Sequence, residues 1–307
     1  MIPAYNAEKT IAAAITSVLK QTVPTFEIVV VDDGSTDRTA DAVRALASDT
    51  RVRLLQIANS GPAAARNAGI DDAQGGLVGF LDSDDLWLPT YLETMVGAVE
   101  SSRVPSLAYT DAWVLDDASG RILKATAMSG WRSVTKPPAD PTALFRQLLK
   151  RNFVYTSTVV TREALTDVGG FDERLWIAED HELWLRLANV GVSFHRAPGT
   201  LAVHRERAGS LTTDLRRLVA GRREVYEIVE EEYEITDDLR ARARRERARL
   251  LRTLASIEAG SPSSGARRAA YTLRSLIRRA TRYNPWFDSP PGDVGELLGS
   301  LAANGQD

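Results

Sequence analysis

Along the first hundred residues the apolar positions switch repeatedly between two periods. Ile11 to Leu19 places apolar side chains at helical spacing, whereas Phe26 to Val31 is a run dominated by β-branched residues, as a strand buried on both faces should be. Ser35 and Thr36 then offer N-caps for a helix through about Leu46. Val52 to Ile57 reads as a strand, Pro62 to Ala73 as an alanine-rich helix with proline near its first turn, Leu77 to Leu81 as a strand and Tyr91 to Glu100 as a helix. This alternation predicts an α/β fold with a mostly parallel, Rossmann-like sheet flanked by helices. Farther on, Ser106 to Leu115, Tyr155 to Val160 and Val192 to Val203 read as strands. Lys136 to Pro141 reads as a Pro-rich connection, and Asp180 to Ala188 as a periodic helix with Leu183, Trp184 and Leu187 on one face.

From about Asp214 the pattern becomes helical and rich in Arg, Glu and Ala. Arg240 to Arg252 holds seven Arg and one Glu, and Arg267 to Arg282 holds six Arg and no acid. Gly260 to Gly265 reads as a hinge between helices and Asn284 to Gly292 as a Pro-rich loop. The expected organisation is a unit over residues 1–213 and a helical extension over residues 214–307. At the other end, Met1-Ile2-Pro3 runs at once into motif-like sequence, so the first strand reads as truncated.

Composition narrows the chemistry. The 307 residues carry 38 Lys+Arg against 41 Asp+Glu, a balance that argues against nucleic acid as the main partner. With no cysteine there is no disulfide, thiolate metal site or Cys nucleophile, and three widely spaced histidines (His181, His195, His204) make a His-built zinc site a poor expectation. No apolar run is long enough to span a bilayer and no signal segment opens the chain, so a soluble, cytoplasmic protein is expected.

Three polar clusters fall at predicted strand ends, where a doubly wound sheet binds ligands. They are Pro3-Ala4-Tyr5-Asn6, Asp32-Asp33-Gly34-Ser35 and Asp82-Ser83-Asp84-Asp85. Two carboxylates one residue apart at a buried strand's tip suit a hard divalent cation, which takes one or two carboxylates plus phosphate oxygens; the competing reading is a solvated acidic turn. Asp33, an acceptor only, matches the N3–H of uracil or thymine or the N1–H and amino group of guanine and repels adenine's acceptor edge; it could also merely cap the next helix. Arg66 sits one turn into the helix after a small-residue turn, within reach of a phosphate or base, and alone would be an ordinary surface arginine. Glu179-Asp180 opens the Trp184 helix, either as helix-dipole partners or as the source of a general base.

Taken in order, IPAYNAEKTI, SVLKQT, EIVVVDDGSTDRT, GPAAARNAGI, GFLDSDDLWLP, GGFDE and EDHELWLRL closely resemble the family 2 glycosyltransferases with the GT-A fold, over about residues 1–210. The resemblance implies that Asp33 binds the nucleotide base, with Pro3, Tyr5 and Arg66 around the nucleotide. It makes Asp82 and Asp84 the DxD pair, Asp84 the direct ligand of Mn²⁺ or Mg²⁺, and Asp180 the catalytic base. The usual aromatic-Arg pair before the late glycine-serine element reads His204-Arg205 ahead of Gly209-Ser210. The QxxRW motif of processive synthases and their membrane helices are absent, which favours one sugar added per encounter.

The implied reaction is an inverting, metal-dependent hexosyl transfer from a nucleotide-diphosphate sugar to a glycan or lipid-linked acceptor in cell-surface polysaccharide or glycoconjugate synthesis. UDP leads as the nucleotide, ahead of dTDP and GDP. A sugar nucleotidyltransferase would instead need a glycine- and Lys/Arg-rich loop after the first strand, and Tyr5-Asn6-Ala7-Glu8-Lys9 is not one. A non-catalytic binder would be expected to have lost the base or the metal pair. On Ala266 to Tyr283, Leu273, Leu276, Ile277 and Ala280 share one helical face and Arg267, Arg274 and Arg278 another. That helix either packs on the catalytic unit, its arginines solvated or paired with the Glu224 to Glu234 run, or makes peripheral contact with anionic membrane at the inner face of the plasma membrane.

Overall fold

In the computed structural model, residues 1–102, 104–124, 136–207 and 214–259 are described. The chain opens with β1 (Ile2–Ala4), α1 (Ile11–Leu19), β2 (Ile28–Asp33), α2 (Thr39–Arg44), β3 (Val52–Ile57), α3 (Pro62–Asp72) and β4 (Leu77–Gly79), the alternation that its apolar periods predict. β1, β2 and β3 pair in parallel, with Ile2 opposite Val30 and Ile28 opposite Val52. Met1 ties β4 to the free edge of β1: its nitrogen donates to Gly79 O at 2.6 Å and its carbonyl accepts from Leu81 N at 3.2 Å. Every residue of β2 is buried, which is why its sequence is apolar until the final two carboxylates.

The second half contains β5 (Leu86–Trp87), α4 (Tyr91–Glu100), β6 (Ser106–Asp116), β7 (Arg121–Lys124), α5 (Pro141–Lys150), β8 (Thr158–Thr161), α6 (Arg162–Asp167), α7 (Glu179–Asn189) and β9 (Ser193–Glu206). Its strands run in the order β4-β8-β6-β9-β5, with β7 beside β6. Among the described strands here, only β6 and β9 pair in parallel, from Ser106 opposite Ser193 to Asp116 opposite Glu206. The other pairs are antiparallel, so this half of the sheet is mixed.

Local chemistry accounts for the departures from expectation. Ser35 and Thr36 do not cap α2, which starts at Thr39 with Arg38 in the cap position. Ser35 is spent as an acceptor for Asn6 N, and Asp37 accepts from Thr39 N at 3.0 Å instead. The Pro-rich connection runs straight into α5, where the Asp140 side chain accepts from Ala143 N at 2.7 Å and Pro141 sits in the first turn. β8 begins at Thr158, which leaves Tyr155 and Thr156 in the preceding loop.

Two further helices, α8 (Leu215–Glu232) and α9 (Asp237–Glu258), bury Val225, Tyr226 and Val229 of α8 and Leu239, Ala243 and Leu250 of α9 in one core with Phe145 and Leu148 of α5 and Trp184 and Leu187 of α7. Each buried valine, leucine or phenylalanine among them stabilises the fold by about 1.5–3 kcal/mol. Tyr226 also donates to Leu149 O at 2.8 Å, and Tyr233 to Glu182 Oε1 at 2.7 Å. Arginines of α9 meet the acidic run of α8, Arg244 on Glu230 at 2.7 Å and Arg247 on Glu227 at 3.3 Å. The helix expected over Ala266 to Tyr283, the Gly260 to Gly265 hinge, the Asn284 to Gly292 loop and Gly209-Ser210 lie outside the described residues. No helix among the described residues is long and apolar enough to cross a membrane.

Candidate active site

The carboxyl ends of β1, β2 and β4 open onto one edge of the sheet, the ligand edge of a doubly wound fold. The turn after β1 and the loop after β2 are joined there by hydrogen bonds. Asn6 N donates to Ser35 Oγ at 2.9 Å, Ala7 N to Thr39 Oγ1 at 2.7 Å, Thr36 N to Asn6 Oδ1 at 2.9 Å and Arg38 N to Glu8 Oε2 at 3.1 Å. Asn6 takes φ 49°, a left-handed conformation that asparagine tolerates. Pro3 lies within β1, and Tyr5 is 53% exposed at the rim.

The two carboxylates that end β2 divide their work. Asp32 holds its own turn, accepting from Ser35 N at 3.0 Å and Gln56 Nε2 at 3.2 Å. Asp33 instead accepts from Ser60 N at 2.7 Å through one oxygen and from Gly61 N at 2.9 Å through the other. Burial raises the Asp33 carboxyl above its ordinary value, and those two donors only partly offset this. Gly61 has φ 94°, and a Cβ there would come within 3.3 Å of the Trp176 ring. Glycine thus gives both the left-handed turn and the room for Trp176, which is 56% exposed against it.

Arg66 is buried rather than lying on the surface. From the first turns of α3 it donates through Nη2 to Asp82 Oδ1 at 2.8 Å and through Nη1 to Glu179 Oε1 at 2.5 Å. Its guanidinium also lies 5.5 Å from the Phe171 ring centroid. One cation therefore joins the acidic tip of β4 to the acidic start of α7. Glu179 is pushed up to about 7 by burial, against the pull of Arg66. Asp180 is also raised by burial, with Arg66 opposing, and accepts from His181 N at 2.6 Å, Thr156 Oγ1 at 3.2 Å and Asn152 Nδ2 at 3.4 Å. Ala178 precedes this pair at φ 66°, an uncommon conformation for alanine that sets the entry into α7.

The Asp82-Ser83-Asp84-Asp85 turn is matched by cations from elsewhere in the chain. Asp84 Oδ2 accepts from Arg207 Nη2 at 2.8 Å and Nε at 3.2 Å. Burial, with Asp85 and Asp82 adding to it, nevertheless pushes the Asp84 carboxyl up to about 6. Asp85 is fully buried and accepts from Arg205 N at 3.0 Å, from the Tyr155 hydroxyl and from His204 Nδ1 at 3.2 Å. Burial would lower His204, but the charge and hydrogen bond of Asp85 outweigh it and raise the imidazole to about 9.

The structure thus brings Asp33, Arg66, Asp82, Asp84 and Asp180 to the ligand edge, with Pro3 and Tyr5 at the end of β1. Sequence reasoning missed Asn152, Tyr155, Thr156 and Arg207, and singled out His204 only for its place in the His204-Arg205 pair. Asn152 falls outside the elements read from the sequence, and Tyr155 and Thr156 sit where a strand from Tyr155 to Val160 is expected; the available signal was the Asp140-Pro141 helix start, which implies a helix and then a loop before that strand. Among the described residues no three His, Cys, Asp or Glu side chains gather closely enough to hold a metal ion by themselves. Asp82 and Asp84 nevertheless offer oxygen donors at half-buried positions, and no hydrogen bond among the described residues falls on Asp84 Oδ1. That donor set fits a Mg²⁺- or Mn²⁺-type ion whose remaining ligands are phosphate oxygens and water.

The model of the family described as "Glycosyl transferase family 2" matches residues 1–125. The chain is 34% identical over 188 residues to a UDP-Glc:alpha-D-GlcNAc-diphosphoundecaprenol beta-1,3-glucosyltransferase, WfgD, of Escherichia coli, a match covering 61% of this chain and 68% of that protein. It is also 34% identical over 220 residues to the succinoglycan biosynthesis protein ExoO of Rhizobium meliloti, covering 70% of this chain and 62% of that one. The chain therefore spans a little under two thirds of ExoO's length. The S. aureus TarS 1-349 structure with UDP-GlcNAc superposes with a TM-score of 0.63 at 20% identity, covering 91% of this chain and 79% of that one, and shares its fold.

Proposed function

The chain belongs to the family 2 glycosyltransferases and has their GT-A fold, and we propose that it is an inverting enzyme that moves one sugar from a nucleoside diphosphate sugar to an acceptor hydroxyl. Residues 1–213 are the transferring unit in this reading and residues 214–307 a helical extension. The work belongs to the assembly of a cell-surface polysaccharide or glycoconjugate, with a glycan or lipid-linked sugar as acceptor, on the cytoplasmic side of the membrane. The observation that carries the reading is the Arg66 bridge, because one buried cation ties the acidic turn after β4 to the start of α7, where the candidate base Asp180 sits.

Asp33 accepts the imino proton of the base, and Tyr5 after β1 and Trp176 against Gly61 offer exposed rings. Asp82 and Asp84 would hold a Mn²⁺ or Mg²⁺ ion, which supplies counter-charge for the departing diphosphate. Asp180 takes the proton of the acceptor hydroxyl, whose oxygen forms the new bond to the anomeric carbon as the bond to the diphosphate oxygen breaks. Attack from the face opposite the leaving group inverts that carbon. Burial favours Asp180 as a proton acceptor, and Thr156 and Asn152 orient its Oδ2. Glu179, tied to Arg66, keeps that guanidinium in place.

UDP-glucose, named for the E. coli relative, is the first donor to try. A panel of sugar nucleotides is screened for thermal protection with and without Mn²⁺, since ligand binding to the native state raises its stability. The protecting donor is then incubated with lipid-linked and oligosaccharide acceptors, and the product anomer is read by NMR. Expected are metal-enhanced protection by one uridine, thymidine or guanosine diphosphate sugar and an inverted product. Protection by none of them, or a retained anomer, would overturn the proposal.

A further inference from the structure

The segment that leads into α7 does not keep its shape unaided. Ala178, two residues before Asp180, has φ 66°, a region where a residue with a side chain persists only if its surroundings hold it there. Its carbonyl is tied into α7 by Glu182 N at 3.1 Å. Ile177, just before it, is held by α8. Gly221 of that helix is buried, and a Cβ built on it would lie 2.7 Å from Ile177 O and 3.0 Å from Ile177 Cβ. Alanine is the better helix former, so glycine in this helix interior answers to the close approach of another backbone. Two tyrosines extend the contact. The Tyr226 ring meets the His181 ring edge-on, with centroids 6.1 Å apart, and Tyr233, at the end of α8, donates to Glu182 Oε1 at 2.7 Å. The three contacts fall on Ile177, His181 and Glu182, and so bracket Asp180 in sequence. α8 lies outside residues 1–125, which the family's model matches.

We propose that Gly221 is a positioning residue for Asp180: by lacking a side chain it lets α8 seat Ile177, and through it the first turn of α7, where the base meets the acceptor hydroxyl. The inference rests on the glycosyltransferase reading above, with Asp180 as its base, and it extends the transferring unit past residue 213 to include α8. Asp33 and Asp84 stand at the ends of β2 and β4 and have partners outside α7 and α8. The contact therefore bears on proton removal and not on the grip on nucleotide and metal ion. An alanine at 221 must part α8 and Ile177 by about 0.7 Å to reach an ordinary contact of 3.4 Å. An error of about 1 Å in a reacting group can cost about a hundredfold in rate, so about tenfold is expected here.

The test compares the full chain with Gly221→Ala and with Val229→Ala, which removes fully buried methyl groups from the same helix. All are assayed well below their melting temperatures, with the donor and acceptor that pass the screen above. Gly221→Ala should lose about tenfold in kcat. Its KM for the donor and its calorimetric UDP affinity in Mn²⁺ should stay within about twofold, as they do when only the transition state is affected. Val229→Ala should melt earlier and keep its kcat. Unchanged kcat in Gly221→Ala overturns the proposal, and so does a loss of UDP affinity in step with kcat, which is general damage. An equal loss of kcat in Val229→Ala also overturns it, because any loosening of α8 would then suffice. Should Gly221→Ala not fold, Tyr233→Phe deletes only the hydroxyl held by Glu182 and must show the same split in smaller measure; its absence counts against the proposal equally. Full transfer by both Asp180→Asn and Gly221→Ala removes the base assignment as well, whereas transfer lost in Asp180→Asn and kept in Gly221→Ala removes this inference alone.

Discussion

Replacing Asp84 by Asn should make the ligand-free protein more stable at pH 8. Burial, reinforced by Asp85 and Asp82, raises this carboxyl from 3.8 to about 6, and the Arg207 pair opposes the rise without cancelling it. A difference of about two units corresponds to about 3 kcal/mol at 1.36 kcal/mol per unit. The side chain is 22% exposed, so solvent screening reduces the expected effect to about 1–2 kcal/mol. A carboxyl whose folded value is raised stabilises the fold in its protonated form. That contribution is full below pH 3.8, fades as pH rises through about 6 and is absent at pH 8. Asn mimics the protonated group at every pH, so Asp84→Asn should lead the wild type at pH 8 and converge with it toward pH 4. Urea unfolding in EDTA, followed across that range, measures the gap. Mn²⁺ with UDP should reverse the order, because only the wild type gains binding free energy from the pair. A variant less stable than the wild type at pH 8 in chelator, or a gap that does not close in acid, would refute the account of this site as one that gives up stability for ligand binding.

Three other outcomes follow from the geometry. Asp180→Asn should keep UDP and Mn²⁺ affinities within about twofold while abolishing most transfer, since only the proton acceptor is lost; near-normal turnover by this variant in a single-turnover assay would move the role to Glu179 or another group. Asp33→Asn should weaken UDP binding by about 1–3 kcal/mol, read by calorimetry, and a wild type that binds ADP as well as UDP would sink the base assignment. Because burial holds the Asp180 carboxyl above its ordinary value and the base must be ionised, kcat at saturating donor and metal should fall with acidification, with a midpoint above the usual carboxylate range near about 4; a flat profile down to pH 4.5 would contradict this.

The parallel half of the fold was legible because burial writes a simple pattern. β2 shows as an apolar run, α1 and α4 as helical periods with the expected ends, and Trp184 falls among the fully buried side chains as its spacing implied. The failures occur where elements are short or where polar residues have long-range partners. β5 has two residues, too few for any period to register. Ser35 looks like a helix cap in isolation, and only the return of Asn6 from the end of β1 shows that its hydroxyl is already engaged. In α5 the signal was present, since aspartate followed by proline is a strong helix start, but the prolines before it read as a connection.

In the site, the acids and Arg66 were legible and the other cations were not, and electrostatics explains the asymmetry. Asp82, Asp84 and Asp85 are adjacent in sequence, so one strand end displays them together. Two of their partners are remote, His204 reaching Asp85 across 119 positions and Arg207 reaching Asp84 across 123, whereas Arg66 lies 16 positions from Asp82. Like charges crowded at a half-buried turn are costly unless each is paired and hydrogen-bonded. An acidic cluster at the end of an apolar strand therefore requires cations somewhere in the fold. Apart from Arg66, which its place after a small-residue turn marks out, nothing in the local spacing of the 38 arginines and lysines says which ones the topology will carry there. What distinguishes Arg66, His204 and Arg207 is position on the finished sheet. Arg66 stands one turn into the helix that follows β3, and the other two stand at the end of β9, which pairs with β5 just beyond the acidic turn.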